Sequence, residues 1–354
     1  MDINKLMPAL GLGYVVKAPV SVSGGLLHRM YHVTTFVGEY AIKVLNPNIM
    51  QRPHALQNTI YSEKIAKAFE GLIPLIASLE IGGQQIQYMD GEYCLVFPWM
   101  DGASVFSKEI TTKHCEAVGR ILGKMHQCNL RMDGMLPEEN SFHMFLWREI
   151  LEKIFEKTHE MSHFYQQSKQ LGEYMMPSQD IMEAGDKKWV IAYKNALPDI
   201  EYWNRKACES GEYLSQIQVI SHRDLDPKNV MWKDDMPYVI DWEAAGYVNP
   251  FQEFLEVVNY WTDDGKGNLV KEKFDVLFAA YSSYMDIRDV QWDAVLNGSF
   301  IGMLGWLEYN LNRALGLEAS NQDEISLGEK QVCGTIQELY TYQSKMELLK
   351  EWFM

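Results

Sequence analysis

Residues 221–243 read SHRDLDPKNVMWKDDMPYVIDWE, and their spacing restricts the rest of this 354-residue chain more than any other feature. Asp224 and Asn229 lie five residues apart in His222-Arg223-Asp224-Leu225-Asp226-Pro227-Lys228-Asn229. A loop of that length aims a carboxylate and an amide oxygen toward one place. Val230–Trp232 and Tyr238–Ile240 are short, apolar and β-prone, and they flank the turn Lys233-Asp234-Asp235-Met236-Pro237, a hairpin pattern. The second strand runs into Asp241, which returns a further hard oxygen to the start of the loop, as Mg²⁺ requires. Asp-x4-Asn alone is common. With the apolar hairpin and the terminal Asp it becomes specific.

Phosphoryl transfer needs positioning and charge neutralisation more than covalent chemistry. A carboxylate must orient the attacking hydroxyl, oxygen ligands must hold the metal, and a cation must grip the phosphates. Asp224 meets the first need, and Asn229 with Asp241 the second. Lys43 is the candidate for the third, because it stands between Ile42 and Val44 in the strand-like YAIKVL, where a charge requires a partner. Glu63, mid-helix and one turn from Ile60 and Ala66, is the expected partner, and Glu70 is the nearby alternative. Their pairing would aim the ammonium at nucleotide phosphates.

Strand signals dominate the first hundred residues, at Lys17–Val22, His28–Thr34, Tyr40–Leu45 and Tyr93–Phe97, with a helix predicted over Leu56–Phe69. Beyond Asp101-Gly102 the pattern turns helical. His114–Gln127 places Cys115, Val118, Ile121, Leu122 and Met125 on one stripe, and Phe145–Lys157 and Lys187–Cys208 also read as helices. Asn249-Pro250-Phe251-Gln252 is a helix start, with Asn at the N-cap and Pro at the first helical position. The reading is therefore α+β, with an N-terminal lobe over 1–98, a linker over 99–102 and a larger, mainly helical lobe over 103–354.

Composition excludes several classes. The net charge of −16 repels a nucleic-acid backbone and attracts a cationic small molecule. No apolar run reaches the roughly 18 residues that span a bilayer, and the N-terminus lacks a signal-peptide pattern. The five cysteines are scattered, which argues against a disulfide framework or zinc site and for a reducing cytoplasm. No obligate protein partner is evident.

VISHRDLDPKNVMW, YVIDWEAAGYVNPFQEF, YAIKVLN, VFPWMDG and VGRILGKMHQ together resemble the blocks, in order, of the aminoglycoside phosphotransferase and choline kinase family. The resemblance runs from about Ser21 to at least Trp261. It implies a two-lobed protein-kinase-like fold, with a small antiparallel β-sheet lobe and a larger helical one, and ATP or GTP with Mg²⁺ as co-substrate. It implies Asp224 as catalytic base, Asn229 and Asp241 as metal ligands, Lys43 paired with Glu63 at the phosphates, and His222 as a brace. The reduced glycine loop Ser23-Gly24-Gly25 would cover the nucleotide, while the Pro98 carbonyl and the Met100 N–H would read the purine.

The departures matter. Arg223 stands where many members have glycine, Asp226 replaces the lysine that protein kinases place after the base, and the metal Asp lies in IDWE rather than DFG. These favour a small hydroxyl-bearing substrate over a protein. Asp226 is read as touching substrate or metal, or as capping the loop. On the acceptor side, Glu243, Asp263 and Asp264 are candidate carboxylates. Tyr260, Trp261, Trp306 and Tyr309 are candidates for an aromatic cage or for plain helix packing. The expected acceptor is aminoglycoside-like. The alternatives are choline, ethanolamine, homoserine or a sugar, and an inactive nucleotide-binding module.

Overall fold

The computed structural model describes residues 1–22, 28–137, 142–156, 188–319 and 321–353. They form two compact units, Met1–Pro137 with Gln218–Asp289, and Glu138–Ile217 with Val290–Met354. Lys43, Asp224, Asn229 and Asp241 all lie in the first.

The first unit opens on α1 (Ile3–Ala9), which the sequence reading does not anticipate. It is capped by Asp2, whose side chain accepts from the Asn4 N–H at 3.0 Å. Ile3, Leu6 and Met7, at helical spacing, are buried against Val33, Tyr40, Ile42, Val44, Cys94 and Val96. Each such side chain contributes about 1.5–3 kcal/mol when fully buried, which is what a seven-residue helix needs, being too short to persist alone.

The sheet under α1 consists of β1 (Val20–Val22), β2 (Arg29–Thr34), β3 (Glu39–Val44), β4 (Gln87–Met89) and β5 (Glu92–Pro98). Its order is β1-β2-β3-β5-β4, with every pairing antiparallel. Lys43 faces Met30 on one side and Leu95 on the other, so it belongs to the central strand and not to an edge. The helix expected after β3 is α2 (Ala55–Phe69), which buries Glu63 along with Ile65, Ala66 and Phe69.

Farther along, β6 (Ala103–Ser104) pairs with the hairpin of β8 (Val230–Lys233) and β9 (Met236–Val239), and β7 (Val219–Ser221) pairs with β10 (Gly246–Val248). Three helices support these strands: α3 (Thr112–Cys128), α4 (Pro250–Trp261) and α5 (Lys271–Ser282). The predicted stripe of α3 is buried throughout. A Cβ on Gly119 would stand 2.6 Å from the Leu277 carbonyl oxygen, and one on Gly123 would stand 3.0 Å from Tyr284 Cβ. Only glycine lets α3 approach this segment so closely. The start of α4 follows its sequence signal: Asn249 Oδ1 accepts from the Phe251 and Gln252 N–H groups at 3.0 and 3.2 Å.

In the second unit the described residues include a helix over 147–156 and the helices Lys188–Ser215, Trp292–Gly298, Phe300–Ala314 and Gln322–Phe353. The helix expected from Phe145 begins two residues later, and Lys157 falls outside the described residues. Asn204 is the physical reason: its Oδ1 accepts from the Phe145 N–H and from Trp147 Nε1–H, both at 2.9 Å. Those bonds tie the preceding segment to the Lys188–Ser215 helix and not into a helix of its own. Among the described residues no helix is long and apolar enough to cross a membrane.

Candidate active site

The loop between β7 and β8 is braced from below. His222 is fully buried. Its Nε2 donates to the Ile240 carbonyl at 3.0 Å, and its Nδ1 accepts from the Asp224 N–H at 3.3 Å. A carbonyl only accepts and an amide N–H only donates, so the tautomer is determined. His222 thus links the loop to the residue preceding Asp241 and has no nitrogen left for proton transfer.

Arg223 has φ +66°, a left-handed conformation that glycine adopts freely and other residues seldom do. In this chain Glu253 compensates, its Oε1 accepting from the Arg223 N–H at 2.6 Å. Glu253 Oε2 bonds His126 Nε2 at 2.8 Å, and His126 Nδ1 bonds the Tyr281 hydroxyl at 3.0 Å. Burial opposes the Glu253 charge, yet bonds from His126, Ser221 and Arg223 hold its carboxyl below the ordinary range. Glu253 thus braces the loop between β7 and β8. His126 was missed, because its partners are remote in sequence.

Asp224 and Asn229 meet as the spacing predicts. Asn229 Nδ2 donates to the Asp224 carbonyl oxygen at 2.8 Å and to Asp224 Oδ2 at 2.9 Å, which turns the amide oxygen away from Asp224. The Asn229 carbonyl accepts from the Ile240 N–H at 2.9 Å, tying the loop to the end of β9. Asp226 caps the turn Pro227–Asn229, its Oδ1 accepting from the Lys228 N–H at 2.8 Å. Lys228 Nζ stands 3.4 Å from Asp224 Oδ1, a neighbouring cation.

Lys43 is buried, and its Nζ lies 2.9 Å from Asp241 Oδ1 and 2.5 Å from Glu243 Oε1. Burial alone would push the ammonium down in pKa; Asp241 and Glu243 reverse this and raise it. The expected ion pair with Glu63 is therefore corrected. Glu63 is turned toward Ser78, one of its carboxylate oxygens is buried without a partner, and burial pushes its carboxyl up. Lys43 still lowers it through space. The two carboxylates following β9 simply lie nearer. Glu243, a candidate acceptor residue, belongs with Lys43 instead. Burial disfavours its charge, but His28 and Lys43 hold its carboxyl at about 2.

Other candidates part from the site. Trp261 is completely buried and donates from Nε1 to the Leu225 carbonyl at 2.8 Å, so it supports the loop and cannot cage a ligand. Asp263 and Asp264 cap their own turn, accepting from the Gly265 N–H at 2.5 Å and the Lys266 N–H at 2.7 Å. Tyr260, by contrast, is exposed on α4 within the field of Asp226 and Asp224; Trp306 and Tyr309 are stacked on each other, with centroids 5.4 Å apart, in the second unit. Ser23, Gly24 and Gly25 lie outside the described residues. Pro98 ends β5, and with Met100 it lines a recess of about 530 Å³ beside Lys67, Leu75, Ser78 and Tyr238. None of Lys43, Asp224 or Asp241 lines that recess.

Asn229 and Asp241 suit a magnesium ion. Both offer hard oxygens, Asp241 keeps 44% of its side chain accessible, and Mg²⁺ commonly takes one or two carboxylates together with substrate phosphates. Among the described residues no group of three or more His, Cys, Asp or Glu side chains converges to hold an ion.

The buried His222 makes stability depend on pH. Burial pushes its imidazole below the ordinary value, so the unfolded chain takes up the proton first. Its contribution is complete above about pH 6.5, the unfolded value, and is lost as pH falls through that value toward the folded one. Urea unfolding of His222→Gln from pH 8 to 5 should show a shallower loss than the parent. Parallel curves would sink this assignment.

The chain matches the model described as "Phosphotransferase enzyme family" over residues 20–287. No curated protein matches it in sequence. Among solved structures it is similar to spectinomycin phosphotransferase APH(9)-Ia in complex with ADP and spectinomycin, at 13% identity and TM-score 0.64, covering 96% of this chain and 97% of that one. A microcompartment-associated aminopropanol kinase follows at 16% identity and TM-score 0.57, covering 98% of both chains. Plasmodium vivax ethanolamine kinase has 15% identity and TM-score 0.53, with 92% and 83% covered. At these identities the structures establish the shared kinase-like fold. With more than half its length matched by the family model, and with the loop, hairpin and central-strand lysine in place, the chain belongs to the phosphotransferase enzyme family.

Proposed function

We propose that the protein transfers the γ-phosphate of ATP or GTP to a hydroxyl of a small cationic acceptor. One observation carries this reading: a continuous bonded path joins Lys43 to Asp241, Ile240 to Asn229, and Asn229 to Asp224. Every group that phosphoryl transfer requires is on that path. Asp224 accepts the acceptor's hydroxyl proton at its carboxylate, Asn229 fixes that carboxylate, and Lys43 grips the phosphates. Asn229 and Asp241 would hold Mg²⁺, which when bound neutralises phosphate charge. Ser23-Gly24-Gly25, Pro98 and Met100 are proposed for the nucleotide, within the proposed division into lobes over 1–98 and 103–354.

The acidic surroundings of Asp224 support a cationic acceptor. Glu256 is exposed, and the protein beside it, then the charges of Glu253 and Asp224, raise its carboxyl above the ordinary range. Tyr260, one turn on, feels Glu256, Asp226 and Asp224 together. A proton or an ammonium at this place relieves the repulsion. The proposed compartment is the cytoplasm, in keeping with five free cysteines.

A nucleotide-diphosphate release screen with Mg²⁺ against aminoglycosides, amino alcohols and sugars tests the reading. Turnover is expected with at least one amine-bearing alcohol, and growth of an expressing strain on an antibiotic panel sorts antibiotic from metabolic acceptors. If the protein neither binds nor hydrolyses Mg²⁺-nucleotide, it is an inactive module on this fold.

A further inference from the structure

His28, at the mouth of β2, has no part in the proposed transfer itself, yet both of its ring nitrogens are bonded close to Lys43. The β2–β3 register pairs Arg29 with Val44, which brings residue 28 beside the chain leaving β3. There the Asn46 N–H donates to His28 Nδ1 at 2.9 Å. Since a backbone amide only donates, Nδ1 is the accepting nitrogen and the proton sits on Nε2. Nε2 lies 2.8 Å from Glu243 Oε1, and the imidazole is only 6% exposed. The same oxygen accepts from Lys43 Nζ at 2.5 Å. A carboxylate oxygen can take two donors, and here one comes from the sheet's own backbone scaffold and the other from the central-strand lysine.

Glu243 needs such an anchor. It stands two residues past Asp241, whose φ of +59° is a left-handed conformation, and it keeps about a third of its side chain accessible. Without a second bond its carboxylate is free to leave Lys43, which would then be drawn to Asp241 alone. We propose that His28 is a positioning residue of the phosphate site: through Nε2–H it fixes Glu243, and Glu243 centres the Lys43 ammonium between itself and Asp241. This rests on the reading of Lys43 as the phosphate-gripping cation, and it adds a residue and a chain of command to it.

Two substitutions divide the imidazole's bonds. His28→Gln retains a side-chain N–H near the Nε2 position and so the bond to Glu243. His28→Asn retains only an acceptor for the Asn46 N–H. Partners of this kind typically cost about 10-fold or more in affinity when removed. His28→Asn should therefore weaken binding of a fluorescent Mg²⁺-ATP analogue about 10-fold and raise the nucleotide KM equally, with the acceptor KM unchanged. His28→Gln should stay near the parent. Equal damage from both variants, or none from His28→Asn, overturns the proposal. Histidine-selective ¹⁵N NMR of the nucleotide-free protein gives a separate reading: His28 should carry its proton on Nε2, and its signal should move in Glu243→Gln. A proton on Nδ1, or a signal blind to Glu243→Gln, overturns it as well. If the parent binds no nucleotide, the kinase reading fails while the NMR result still decides the role of His28.

Discussion

Replacing Asp224 with alanine should lower kcat by about 10²–10⁴-fold, the range for a positioned acid or base, while leaving nucleotide affinity nearly unchanged. The Asp224 carboxylate is held by Asn229 Nδ2 at 2.9 Å, and 37% of its side chain remains accessible, so an acceptor hydroxyl can reach it. Its bonds run to Asn229 and Lys228 and not to Lys43. An interaction made only with the reacting hydroxyl is lost from kcat and kcat/KM alike, with no penalty in ground-state nucleotide binding. Rapid-quench or steady-state kinetics beside a nucleotide titration makes the comparison. A variant retaining most of the parental kcat would remove Asp224 from its role, and one that no longer binds nucleotide would move it to the phosphates.

Glu253→Ala should cost about 3–5 kcal/mol of stability, the usual penalty for breaking a buried pair from one side. The substitution strands His126 Nε2 and the Arg223 N–H, both previously bonded to this carboxylate. Arg223 would also lose the bond that offsets its left-handed backbone. Chemical denaturation measures the loss, and a change below about 1 kcal/mol, the size of an exposed pair, would mean the network is dispensable. The pH dependence has a definite sign. Because the folded carboxyl is held below its ordinary value, its contribution is complete above about pH 4.3, the unfolded value, and is lost as acid drives the pH down through the folded one. The alanine variant should lack that part of the acid sensitivity.

The two substitutions separate chemistry from scaffold. In the proposed transfer Asp224 faces the reacting hydroxyl. Glu253 never does, yet it is the larger determinant of whether the loop exists in this shape. Arg223 makes the connection visible: a residue with a Cβ occupies a left-handed position because a carboxylate from α4 holds its N–H.

What could be read directly from the chain was local. Asp224 with Asn229, the apolar hairpin, the cap at Asn249 and the buried stripe of α3 all depend on residues within a few positions of each other, where backbone geometry leaves few choices. α1 escaped notice because its stability comes from packing on the sheet and not from its own seven residues. The candidates Asp263, Asp264 and Trp261 failed for another reason. Residue type says nothing about whether a carboxylate caps a turn or an indole points inward, and burial decides that.

By itself the sequence determined the loop, the juxtaposition of Asp224 with Asn229 and the strand that carries Lys43, because spacing along the chain dictates them. The tertiary structure decided the partners. Lys43 meets Asp241 and Glu243 and not Glu63, Glu253 meets His126 across 127 positions, and His28 reaches Glu243 from another strand. A buried charge must find opposite charge or hydrogen bonds close by. Which group supplies them depends on distances of a few ångströms that only the packed chain establishes.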